Sequence, residues 1–271
     1  MELQLEKGNG KMSNRNLHCI GDSHTAFFTG YNIIQPEYPE TLKSLAKNIY
    51  TYRLGSPLAY NLCEINSKTK SNEKLFEIIR TLNCDTDIVL LSFGEVDCRA
   101  HLIKQVEIKS TTIDEAVHGC VNRYLLVIKK ILELNFKVIV WNAVPTAMGF
   151  ENEKFEYPYY GSFEERNKAC ILFNEELKKK SSEIGFYFIA AYKKIINRNF
   201  TTNDKYYFDK IHLSNKLLPL AIKTITQAIP EFGITKIELL KIKTRILLNT
   251  IGIENRTDKF INKIKKLFIK Y

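Results

Sequence analysis

Five short apolar runs punctuate the chain: Leu17 to Ile20, a weaker one over Asn48 to Leu54, DIVLLSFG at 87–94, KVIVWNAV at 137–144 and FYFIAAY at 186–192. Each has strand length, and most are almost unbroken by polar residues, as expected of strands covered on both faces. Between them lie helix-length segments with apolar positions every three or four residues: Asn72 to Leu82, with Leu75, Ile78, Ile79 and Leu82 on one face, then Ile113 to Leu134 and Phe163 to Ile184. A last helix, Lys216 to Ile229, comes after the string DKIHLS. Strands alternating with helices predict an α/β domain, a parallel sheet of about five strands sandwiched between helices. In such sheets the working residues gather at the carboxyl ends of the strands.

Small and polar residues stand at those strand ends: Gly21-Asp22-Ser23-His24, then Gly55-Ser56, Gly94 to Arg99, and Asn142 to Pro145. A serine hydroxyl becomes a nucleophile only when a base takes its proton and a third group orients that base. Asp209, three residues before His212, can supply the orienting carboxylate if both lie in one turn, which would give Ser23, Asp209 and His212 in chain order. The plainer alternatives are that Ser23 caps the following helix, that Asp209 solvates a loop, and that His212 or Ser214 caps the last helix. His24 either lines the pocket or packs on the helix it begins. Arg99 either holds a substrate carboxylate or phosphate, or pairs internally with Glu95 or Asp97. His18, His101 and His118 have no partner pattern around them, and nothing near Cys98 would serve it as a base.

Taken together, GDSH after the first strand, Gly55 after the second, SFGEVD after the third and DKIHLS before the last helix resemble the ordered blocks of the SGNH/GDSL hydrolase superfamily. The resemblance runs from about Asn16 to Ile229. It implies a flavodoxin-like three-layer α/β/α sandwich, with Ser23 as nucleophile, His212 as base and Asp209 as its orienter. It further implies an oxyanion hole from the backbone N–H groups of Ser23 and Gly55 and, in the family, an asparagine side chain. Here the asparagine position is Val96, which has no side-chain donor; Asn61, Asn142 and Arg99 are the candidate replacements. SFGEVDCR also resembles a subgroup met in bacterial surface-polysaccharide biosynthesis. The activity so implied is a carbohydrate esterase or O-acyltransferase, most plausibly O-acetyl, with Asp22, His24, Glu95, Asp97, Arg99 and Asn142 as substrate contacts. No metal or tightly bound cofactor is expected, and acetyl-CoA is a candidate acyl donor. The rival expectation is a glycan-binding or scaffold protein that keeps the fold without the chemistry.

Composition adjusts this picture at the edges. The chain has 271 residues, a formal net charge of +10 and 45% hydrophobic residues, enough for a sizeable core. From Lys236 to Tyr271 there are ten Lys/Arg against three Asp/Glu, so most of the positive charge belongs to the end of the chain, against a nucleic-acid role. Residues 255–271 place Phe260, Ile261, Ile264, Leu267 and Phe268 on one helical stripe flanked by lysines. That stripe suits an anionic membrane surface, a partner protein or the chain's own core. Residues 237–251 are more apolar and are expected to bind the core or a second subunit. Six dispersed cysteines without a CxxC pair suit reduced, mostly buried thiols. With no apolar signal segment read at the start and no membrane span, the expected location is the cytoplasm, with peripheral contact at the inner membrane face. The organisation expected is a polar leader at 1–15, the α/β domain at 16–230 and a basic helical tail at 231–271, with an aromatic-rich loop at 151–166 overhanging the site.

Overall fold

A computed structural model describes residues 15–147, 149, 158–197 and 199–250. Almost all of the expected leader, the first part of the aromatic-rich loop and the amphipathic stripe at 255–271 lie outside the described residues.

The apolar runs become β1 (Asn16–Gly21), β2 (Ile49–Arg53), β3 (Asp87–Ser92), β4 (Lys137–Trp141) and β5 (Tyr187–Ile189). All pairings are parallel, in the order β2-β1-β3-β4-β5, the flavodoxin-like arrangement whose switch point lies between β1 and β3. Gly21 sits opposite both Arg53 and Ser92, and Ser92 opposite Trp141, so the chain leaves β1, β2, β3 and β4 at one common rim.

Helices α1 (Ser71–Arg80), α2 (Leu102–Lys109), α3 (Ile113–Glu133) and α4 (Phe163–Ile184) bury their apolar stripes on one face of the sheet, against Ile20, Val89, Leu91 and Val140. The other face, with Leu17, Cys19, Leu90 and Trp141, is covered by α5 (Leu218–Ala228), α6 (Lys236–Thr250) and a 3-10 helix, Ser23–Thr29, whose Phe27 and Phe28 pack on the Trp141 ring. Each large apolar side chain so enclosed contributes about 1.5–3 kcal/mol relative to water. Thr112 and Ser162 start α3 and α4 with reciprocal capping boxes to Glu115 and Glu165, which fixes where both helices enter the layer.

The structure departs from the sequence reading at element ends. β3 stops at Ser92 because Gly94 takes a left-handed φ of 108°, and β4 stops at Trp141 because the backbone beyond it is claimed by α4 side chains. There Ala143 N–H donates to Asn174 Oδ1 and Thr146 N–H to Asn167 Oδ1. β5 keeps only three residues before a 3-10 turn at Ala191–Lys194. The last helix begins with a 3-10 turn, Asn215–Leu217, capped by Ser214, and carries Pro219 in the first turn of α5. Residues 97–109, between the third strand and the helix expected at 113–134, form a π-helical turn leading into α2. Of the two partners expected for 237–251, the core is the one observed: Ile242 and Ile246 are buried on the sheet face that carries Leu17 and Trp141, and Arg245 donates to the Leu45 carbonyl. The six cysteines are free, four of them buried.

Candidate active site

The turn after β1 is shaped by a close approach. A Cβ on Gly21 would lie 2.0 Å from the Ser92 carbonyl oxygen, so no other residue fits between β1 and β3 there. Asp22 comes next and caps the 3-10 helix, its Oδ1 accepting from the His24 N–H at 2.8 Å. Ser23 is thus both the first residue of a helical turn and a half-buried side chain at the sheet rim. Burial pushes the Asp22 carboxyl up to about 6, against the opposing pull of His24.

The string YYFDKIHLS folds into a tight loop whose ends are joined by a bridge between Tyr207 and Leu213. Inside it Asp209 Oδ1 accepts the amides of Ile211 (3.1 Å) and His212 (2.7 Å), while Lys210 takes a φ of 69°. This Asx-type turn leaves Asp209 Oδ2 2.7 Å from His212 Nδ1. His212 Nε2 then lies 2.8 Å from Ser23 Oγ, across 189 residues of chain. Asn215 pins the two segments together, its amide donating to Asn32 Oδ1 and its side chain to the Gly30 carbonyl. With the carboxylate accepting from Nδ1–H, Nε2 is free to accept from the serine hydroxyl, the tautomer a general base needs.

His212 is 2% exposed and lies between the rings of His24 (4.9 Å between centroids) and Phe208 (5.6 Å). Burial lowers its pKa below the ordinary histidine value; the neighbouring His24 acts in the same direction, and the Asp209 hydrogen bond offsets only part of this. Burial alone would raise the Asp209 pKa, but the hydrogen bonds and charge of His212 outweigh it and keep the carboxylate ionised.

Behind His24 runs a buried ion cluster. His24 Nε2 is 3.3 Å from Glu95 Oε2, and the Glu95 carboxylate accepts two hydrogen bonds from Arg99, at 2.7 and 3.2 Å. Of the two readings of Arg99, the internal pair with Glu95 is present: its guanidinium fork faces Glu95 and the Pro158 carbonyl, and the residue is 4% exposed. Glu95 is likewise turned to Arg99 and His24. Burial would raise its pKa, but Arg99 first and His24 second hold the carboxyl well below the usual range. Burial would lower the pKa of His24, but contact with Glu95 and the charge of Asp22 reverse this and raise it. Removing Glu95 leaves Arg99 buried without its counter-ion, so Glu95→Ala is expected to cost about 3–5 kcal/mol in urea denaturation. A loss under about 1 kcal/mol would contradict this pairing.

Asp97 and Asn142, also expected as substrate contacts, hold backbone groups of the fold. Asp97, fully buried, accepts the amides of Ala59 (2.7 Å) and Tyr60 (3.1 Å) and so anchors the loop that begins at Gly55; burial pushes its carboxyl up to about 6. Asn142 bridges the Ala143 carbonyl and the Tyr192 amide. Gly55 has a φ of 93°, a conformation that favours glycine. Neither the Ser23 nor the Gly55 amide finds a hydrogen-bond acceptor among the described residues. The side chain of Val96, at the head of the π-helical turn, supplies no donor.

Two neighbours went unread in the sequence. Phe208, which stacks on His212, stands beside Asp209 but gives no periodic signal. Arg166, in the first turn of α4, is wholly buried beside Arg99 and Glu95; its guanidinium donates to the Gly161 carbonyl and lies over the Tyr159 ring. Burial and Arg99 bring its pKa down to about 10.

No family model and no curated protein matches the chain. Solved structures overlap it at low identity. A carbohydrate acetylesterase from Sinorhizobium meliloti is 19% identical, with a TM-score of 0.47, covering 79% of this chain and 99% of that one. A GDSL-like lipase from Bacteroides thetaiotaomicron is 13% identical (TM-score 0.47; 80% and 89%), and an aryl esterase from M. smegmatis 15% (TM-score 0.46; 79% and 99%). With overlaps this low, the chemistry has to be read from this chain's own side chains.

Proposed function

We propose that this chain is a serine-dependent carboxylic-ester enzyme of the SGNH type, acting on an O-acetylated carbohydrate. The observation that carries the reading is the continuous hydrogen-bonded series Asp209–His212–Ser23, at 2.7 and 2.8 Å. Three side chains from two distant segments meet in the order that activates a serine when Nδ1 carries the imidazole proton, an arrangement with little purpose in a helix cap alone.

In the first half-reaction Ser23 Oγ attacks the acyl carbonyl carbon while His212 Nε2 takes the hydroxyl proton. Asp209 holds the imidazolium so formed. The carbonyl oxygen becomes an alkoxide facing the amides of Ser23 and Gly55, both without another acceptor among the described residues. The tetrahedral centre collapses, the C–O bond to the sugar breaks, and His212 returns the proton to the leaving sugar oxygen. The acyl group remains on Ser23. In the second half, water gives up a proton to His212 and attacks the acyl carbon, the bond to Ser23 Oγ breaks, and His212 returns the proton to that oxygen as the acid leaves; if a sugar hydroxyl takes the place of water, the product is a new ester. Esterase and O-acyltransferase share every residue named, and a cytoplasmic setting would make acetyl-CoA available as donor for the second.

Incubation with acetylated sugars, followed by acetate assay, tests the reading. Because neutral His212 is the active form, turnover is expected to fall as pH drops through a pKa below 6.5 and to be level through neutral pH. An acid limb at or above the ordinary histidine value would contradict the environment derived for His212.

A second reading, a glycan-binding protein without turnover, draws on Val96, since loss of one oxyanion donor costs roughly 100- to 1,000-fold. Glycan affinity with no acid or transfer product, unchanged by Ser23→Ala, would favour it.

A further inference from the structure

Helix α6 has two apolar faces. Ile242 and Ile246 fill the core, yet Ile237, Leu240 and Leu247 are 65%, 52% and 61% exposed on the outer side. That outer side also carries the exposed Lys236 and Lys243. Beside it, the outer face of α5 presents exposed Lys216 and Lys223 with half-buried Pro219 and Leu220. Between the two helices runs an open groove of about 500 Å³, lined by Pro219, Leu220 and Leu247 and edged by Lys216, Lys223 and Lys243. Among the described residues, every charged one lining it is a lysine.

The surrounding charge has the same sign. Residues 216–250 hold six Lys/Arg against two Asp/Glu. Both acids are already engaged: Glu231 with Lys137, and Glu238 with the amide and hydroxyl of Thr235 at the start of α6. The sequence beyond Thr250 stays basic, with six Lys/Arg against two Asp/Glu in 251–271. An apolar strip bordered only by lysines pairs buried hydrocarbon with attraction to negative charge, the two contributions that hold a helix in a lipid headgroup layer. A second copy of the same face would bring lysines against lysines.

We propose that the outer face of α5 and α6 docks on an anionic bilayer surface, with Leu240 and Leu247 entering the headgroup layer and Lys216, Lys223 and Lys243 meeting lipid phosphates and carboxylates. This surface is independent of the catalytic reading and stands or falls separately.

Flotation of the full chain with vesicles tests it, comparing phosphatidylcholine alone with phosphatidylcholine containing phosphatidylserine. The expected result is binding to the anionic vesicles only, weakened as salt shortens the screening length. The paired variants Leu240→Glu/Leu247→Glu and Lys223→Glu/Lys243→Glu should each weaken binding at least about tenfold. Circular dichroism and an unshifted thermal melt report whether those variants remain folded. Absence of binding to anionic vesicles would overturn the proposal. So would wild-type binding by both variants, which would assign the membrane contact to residues 251–271 instead. Concentration-dependent dimerisation of the wild type that Leu247→Glu abolishes would also overturn it, in favour of a second copy as the occupant.

Discussion

Replacing Ser23 by alanine is expected to lower acyl turnover by roughly a millionfold while leaving the fold intact. In the proposed reaction the hydroxyl that faces His212 forms the acyl-enzyme, so its removal breaks that reaction at the first bond formed. Structurally the loss is small: one hydrogen bond to His212 at a half-buried position, on the order of 1 kcal/mol. Asp22, whose carboxylate caps the turn, and Gly21, whose lack of a side chain admits Ser92, are untouched. Acetate release measured beside a thermal melt separates the two quantities. Retention of most of the wild-type rate would exclude Ser23 as the nucleophile.

Asp209→Asn should cost roughly 10⁴-fold in kcat, again with little change in the loop. Oδ1 accepts the amides of Ile211 and His212, and an asparagine carbonyl can continue to do so. The amide then presents NH₂ where Oδ2 accepted from Nδ1–H, so His212 is driven to the tautomer protonated at Nε2. That nitrogen would donate toward Ser23 instead of accepting from it. The imidazolium of the transition state also loses its counter-charge. A kcat within tenfold of wild type would mean that Asp209 only shapes the turn.

The sheet was legible because its strands are buried on both faces, which leaves continuous apolar runs such as DIVLLSFG that periodicity alone identifies. The long helices were legible for the complementary reason, a single apolar stripe each. Helix α2 was not: only Leu102 and Ile103 of its residues are buried, too few to show a period. The strand ends were overextended because Gly94 leaves the ladder through its backbone conformation and Ala143 gives its amide to Asn174 of α4, neither visible in a local window.

At the site, Ser23, Asp209 and His212 could be proposed from their residue types and their order. Their meeting depends on Asn215 reaching Gly30 and Asn32, a contact between segments that no spacing rule encodes. The ion cluster was half legible: Arg99 is one helical turn from Glu95, so an internal pair was open from the outset. That the pair forms, and forms buried, is a property of the assembled layers. Arg166 joins the same cluster from α4, far along the chain, and its sequence surroundings are those of an ordinary capped helix.

The most direct measurement is intact-mass analysis after exposure to a fluorophosphonate, which phosphonylates a serine only when its hydroxyl is activated and reachable. One adduct on the wild type, none on Ser23→Ala and a much slower reaction for His212→Ala is the predicted result. An unmodified wild-type chain, or equal labelling of wild type and Ser23→Ala, would contradict the assignment of Ser23 as an activated nucleophile.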